Sequence, residues 1–148
     1  MIKKVSLMVV AAMAGLLALT AVQAQGPLPS VDVTKTFDAA DETSASGTIT
    51  VCNVTDEPID VTIEYIDDML YYKQGPGPWT ELVEATVSGL AAGDNILAGE
   101  CAEGTWEASY AELPAGTTTL RDEAHVKLVD RDKVFLARES FEFLDLDD

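Results

Sequence analysis

Two cysteines, one histidine, a few loop aromatics and several acidic turns are the residues here whose types could do chemistry. Cys52 stands in "TITVCNV" and Cys101 in "LAGECAEG". Two thiols can close one internal disulfide, bridge two chains, or ligate a metal. His125, in "DEAHVKLV", would have to serve any Ser/His/Asp arrangement. No GxSxG elbow accompanies it, and HExxH, CxxC and phosphate-cradling glycine motifs are also missing from the sequence. Its alternation places it outward between Glu123 and Lys127, which suits a solvated strand residue. Carboxylate pairs are plentiful, but in so acidic a chain they arise by chance and do not specify a glycosidase. The expectation is a non-enzymatic protein with no catalytic residues.

Calcium is the one cofactor that the residue types bring into consideration. Asp130 and Asp132 in "DRD" are the weak candidates, with Asp67, Asp68 and the terminal "DLDD" as further hard oxygen donors. Asp56 and Glu57 could share an end of the fold with them. None of these matches an EF-hand loop, so the expectation is an exposed acidic turn and no metal. Tyr71, Tyr72 and Trp79 surround the run "YYKQGPGPW". Aromatics on a rigid loop can bind carbohydrate or a protein partner, or can cap the end of the core. "NVT" at Asn53–Thr55 has the form of a glycosylation acceptor but follows a leader of bacterial type, so the match is read as chance.

The elements that must position these residues read as strands. "VDVTKTF" alternates with Val31, Val33 and Phe37 on one face. "TITVCNV" places Ile49, Val51 and Asn53 on one side, with Cys52 on the other. "IDVTIEY" turns Ile59, Val61, Ile63 and Tyr65 inward. "TELVEATVSGL" is a weaker strand, and "AAGDNILAGECAEG" is loop-like. "TWEASYAEL" puts Trp106, Ala108 and Tyr110 together, and "EAHVKLV" puts Ala124, Val126 and Leu128 inward. In "VFLARESFEF", Val134 and Leu136 share one parity while Phe141 and Phe143 take the other, which predicts a bulge near Arg138 and Glu139. About seven strands with no sustained helical period predict an all-β, immunoglobulin-like antiparallel sandwich.

The N-terminus gives an address. Two lysines, an apolar run of about 16 residues and "AVQA" make a secretory signal peptide over residues 1–24, cut before Gln25. Residues 25–30 are a flexible lead-in, and residues 31–148 form one domain. Nothing after the leader is apolar enough to span a bilayer. Two of the nine basic residues lie in the leader, so the seven that remain against 26 acidic ones leave a formal charge of −19. Such a charge argues against nucleic acid and anionic membrane surfaces as partners. The expected location is secreted: extracellular, periplasmic or at the cell surface.

"VDVTKTFDAADETSASGTITVCNVTDEPIDVTI" resembles the opening of the Ig-like repeat of bacterial and archaeal surface proteins, the "domain of unknown function eleven" type. "LPAGTTTLRDEAHVKLVDRD" is similar to that repeat's second half. The resemblance is at motif level and covers most of residues 31–143. It implies fold and address and carries no activity with it. In such a sandwich the strands holding Cys52 and Cys101 are antiparallel neighbours in one sheet, so an internal bridge on the outward face is expected, with an interchain bridge or a two-thiol metal site as alternatives. The expected function is a structural or interaction module with a protein partner or with itself, including a self-assembling form in which the N-terminal segment pairs with a neighbour's edge. The alternative is a soluble carbohydrate- or calcium-binding domain.

Overall fold

A computed structural model describes residues 29–143. The expected leader, residues 25–28 of the lead-in and the acidic residues 144–148 lie outside the described residues. The strand segments are β1 (Val31–Lys35), β2 (Ala39–Ala40), β3 (Ser44–Asn53), β4 (Val61–Gln74), β5 (Thr80–Glu84), β6 (Thr86–Ser88), β7 (Asn95–Ile96), β8 (Cys101–Ser109), β9 (Thr117–Leu128) and β10 (Val134–Glu142). One sheet runs β1-β3-β8-β6, with β2 on β3. The other runs β10-β9-β4-β5, with β7 on β4. Every pairing is antiparallel. With β2 and β7 set aside, the order is that of an immunoglobulin sandwich: an A-B-E-D sheet facing G-F-C-C′. Among the described residues no helix is long and apolar enough to cross a membrane.

Period-two patterning builds the core between the sheets. From β3 come Ala45, Ile49 and Val51; from β8, Trp106 and Ala108; from β9, Leu120, Ala124, Val126 and Leu128, all buried. Trp106 is the largest of the fully buried side chains. Its ring meets Phe37 edge-on at 5.0 Å, and Phe37 leads on to Phe141 and Phe143 at one end of the sandwich. Trp106 Nε1 donates to the Thr36 carbonyl at 2.9 Å across Gly47. A Cβ on Gly47 would lie 1.7 Å from that carbonyl oxygen, so only glycine lets β1's exit pass this close.

Three local expectations are corrected. In β4 the register slips between Ile63 and Tyr65, leaving Glu64 as the extra residue. Beyond it Ile66, Asp68, Leu70 and Tyr72 face inward, so Ile66 rather than Tyr65 packs on the core. In β10 the bulge expected near Arg138 and Glu139 is absent: pairing with β9 is continuous from Val134↔Lys127 to Glu142↔Thr119. Phe135 and Ala137 (8% and 6% exposed) share the parity of Phe141, while Val134 and Leu136 (38% and 44%) face out. The reason is that "VFLA" is apolar at every position and carries no phase of its own; the two phenylalanines set it. Finally, "TELVEATVS" is two strands, not one. The chain changes sheets at Ala85, whose N–H donates to the Asp68 carbonyl at 2.9 Å.

Candidate functional site

The outer face of the β10-β9-β4-β5 sheet gathers most of the chemistry-bearing side chains. Strands β4 and β5 form a hairpin closed by the Gly-Pro loop, where Gly75 takes φ 55° and the Gly77 N–H donates to the Gln74 carbonyl at 3.0 Å. Trp79 leaves this loop and folds back over the sheet. Arg121, opposite Tyr71 in register, lies under it, with its guanidinium carbon 4.4 Å from the Trp79 ring centroid and 5.5 Å from that of Tyr71. Lys73 Nζ is 5.4 Å from the Trp79 ring. These are cation–π distances, and together they hold an otherwise free loop aromatic against the sheet. Tyr72 alternates to the inner face and packs on the core. Of the three expected loop aromatics, then, Tyr71 and Trp79 come together through Arg121, and Tyr72 does not.

A row of charges continues across the same face. Arg138 Nε donates to Glu123 Oε2 at 2.5 Å, Arg121 approaches the same oxygen at 3.8 Å, and His125 Nε2 lies 3.5 Å from Glu123 Oε1. His125 is therefore on the outward face beside Glu123, where alternation put it. A shallow depression of about 270 Å³ next to this row is bordered by Asp67, Tyr71, Glu81, Glu84 and His125. Burial, followed by the charges of Glu123 and Glu81, raises the Tyr71 hydroxyl above its ordinary value. The hydroxyl therefore stays protonated, an amphipathic donor beside a stacked guanidinium. The sequence signal for Arg121 and Lys73 was weak: both are cations on strands, and only register shows that they meet Trp79.

On the other sheet Cys52 and Cys101 stand directly opposite each other on β3 and β8 and are joined in a disulfide, with Cα atoms 3.9 Å apart. The bridge lies away from the core, since Cys101 is exposed and Cys52 half-buried. The next residue, Asn53, is buried, and its Nδ2 donates to the carbonyls of Ile59 (2.8 Å) and Ile96 (3.0 Å). Its amide ties the β3–β4 turn to β7 and is not open to a glycan. Asp130 and Asp132 are both exposed in the β9–β10 turn. Asp130 takes φ 64°, a left-handed position that aspartate tolerates, which gives the turn its own reason for the residue. Among the described residues no group of three or more His, Cys, Asp or Glu side chains has metal-holding geometry.

One cluster escaped the sequence reading. Lys35, Asp68 and Asp122 meet between the sheets with their side chains wholly buried. Lys35 Nζ is 2.5 Å from Asp68 Oδ2, also contacts Asp122 Oδ2, and lies 4.7 Å from the Trp106 ring centroid. Oδ1 of Asp68 and both carboxyl oxygens of Asp122 have no hydrogen-bond partner. Burial first, then the neighbouring Asp68 carboxyl, push Asp122 up to about 8 against the opposing pull of Lys35. The surroundings of Asp122 accordingly favour its protonated form. Alternation did carry a signal: Lys35 shares the parity of Val31 and Val33, and Asp122 that of Ala124 and Val126.

No protein-family model matches the sequence, and no curated protein matches it. Among solved structures, the chain is similar to the sporulation control protein Spo0M of Bacillus subtilis, at 12% identity and TM-score 0.48, over 78% of this chain and 49% of that one. This chain thus spans about half the length of Spo0M. It is also similar to the archaellum periplasmic stator protein FlaG of Sulfolobus acidocaldarius (5% identity, TM-score 0.38, 76% of this chain and 100% of that one). A third is BslA, a bacterial hydrophobin (15% identity, TM-score 0.38, 79% and 95%). These scores and identities are low.

Proposed function

We propose that this chain is an exported, non-catalytic Ig-like domain, of the surface-protein type that its motifs resemble, acting as a structural or interaction module at the cell envelope or outside the cell. The observation that carries the reading is the Trp79–Arg121–Tyr71 stack on the outer face of the β4–β5 hairpin and its neighbours. Tryptophan, tyrosine and arginine are the side chains that anchor protein interfaces. Here they stand on a rigid sheet in a protein whose remaining surface is strongly acidic. The disulfide supports the address, because such bonds persist in oxidising compartments. A carbohydrate site has less support, since Arg121 and Lys73 already lie against the Trp79 ring. A calcium site has less still, with Asp130 and Asp132 exposed in a turn and in no cluster of three or more candidate ligands among the described residues.

The test places a photo-crosslinking amino acid at Tyr71, and separately at Glu103 on the other sheet, in the producing cell. Adducts from position 71 in the exported fraction, absent from position 103, are the expected result. An adduct of twice the chain's mass identifies a second copy as the partner; another mass identifies a different protein. Equal or no adducts at both positions would remove the interaction reading.

A further inference from the structure

The Lys35–Asp68–Asp122 cluster takes no part in the outer face, and its composition is unusual for a core. An amine and two carboxyls are enclosed with no solvent exposure, and an oxygen of each carboxyl has no hydrogen-bond partner. Buried ion clusters repay their desolvation only when the remaining lone pairs are satisfied. These are not. The three groups do have the positions for a condensation that would remove the charges altogether. Lys35 Nζ contacts both carboxyls, and the Trp106 ring closes over it. We infer that Lys35 Nζ and Asp122 Cγ are joined in an intramolecular isopeptide bond, formed after folding with Asp68 as proton acceptor.

The step balances without any co-reactant. The Lys35 ammonium gives a proton to the Asp68 carboxylate, and the free amine attacks Cγ of the neutral Asp122 carboxyl. The tetrahedral adduct loses its hydroxyl as water, taking the proton it needs from within the cluster. The products are one amide, one water and a protonated Asp68, with no net charge before or after. The roles follow from the geometry: Lys35 Nζ donates a hydrogen bond to Asp68 Oδ2, the path for its proton, while both oxygens of Asp122 lack a hydrogen-bond partner and its burial favours the neutral carboxyl that an amine attacks. Groups held in contact by a fold react with effective concentrations of about 10⁵–10⁸ M. The dry core also lets water leave and keeps it from returning. The bond would tie β1 of one sheet to β9 of the other.

The measurement is the intact mass of the purified, folded full chain after reduction of Cys52–Cys101. The expected value is one water below the sequence mass. Trypsin then locates the bond, because it does not cleave after an acylated lysine. The peptide running through Lys35 to Lys73 should carry residues 122–127 as a branch. Asp68→Ala and Lys35→Arg should each return the full mass, the former with the bonding pair intact. An unmodified wild-type mass overturns the inference, and that reading does not depend on any variant folding. A water loss mapped to an aspartyl succinimide overturns it as well, and a loop from Lys35 to Asp68 within the one peptide overturns the roles assigned.

Discussion

Tyr110 shows how one side chain closes an end of the sandwich. It follows β8 and brings its hydroxyl to the carbonyls of Asp41 (2.7 Å) and Ser44 (2.9 Å), across the turn into β3. Burial, with a smaller contribution from the Asp41 charge, pushes its pKa up to about 12. An acid whose folded value is raised releases its proton more readily when unfolded. Its contribution to stability is therefore complete below the unfolded value near 10 and is lost as pH rises from there through the folded one. The expected outcome is a melting temperature that falls between those two values by more in the wild type than in Tyr110→Phe. Parallel slopes in the two proteins would show that the hydroxyl is not coupled to folding. Tyr110 was expected on the face of Trp106, and it does pack against the core; its hydrogen-bond partners, almost seventy residues away, have no trace in local sequence.

At the scale of elements, the pairing of β3 with β8 is doubly fixed, by its ladder and by the disulfide. The cysteines are 49 positions apart, and closing a loop of that size stabilises a fold by about 4 kcal/mol in the chain-entropy model. Replacing both by alanine should lower the free energy of unfolding by roughly that amount. The far-ultraviolet spectrum should stay unchanged, because the bridge lies outside the core. A denaturant midpoint that does not move would mean the reduced chain is already restrained. Much of this level was legible. Alternation in "TITVCNV" and "EAHVKLV" placed Ile49, Val51, Ala124, Val126 and Leu128 inward and Cys52 outward, and the structure agrees. Three features were hidden. The slip at Glu64 interrupts a perfect alternation and arises from how β4 meets β9. The phase of β10 is undefined in a run of four apolar residues. Lys35 and Asp122 lay on the inward parity, but their charge argued for solvent; only the meeting of β1, β4 and β9 shows three such residues answering one another. The outer aromatic face was half legible, since Tyr71 and Trp79 mark their loop while Arg121 joins them only through register.

For the whole molecule the governing quantity is charge. The chain after the expected leader carries a formal −19, and among the described residues most acidic side chains are exposed and in no ion pair. Self-repulsion of that size destabilises the compact state, and salt relieves it as the screening length shrinks from about 30 Å at 0.01 M to about 3 Å at 1 M. The melting temperature should rise steadily over that range. A flat response would show that local pairs such as Lys127–Glu64 already neutralise the surface.

The position of the disulfide along the chain also decides how the domain would bear a mechanical load. Cys52 and Cys101 enclose β4, β5, β6 and β7, so tension applied between the two chain ends bypasses that whole segment and cannot lengthen it. What remains extensible is β1 to β3 on one side and β8 to β10 on the other. A link between Lys35 and Asp122 would surround the first loop with a second and leave β1 and the stretch from Asp122 through β10 as the described parts still free to stretch. A tethered domain of this design would behave under pull as a nearly inextensible bead.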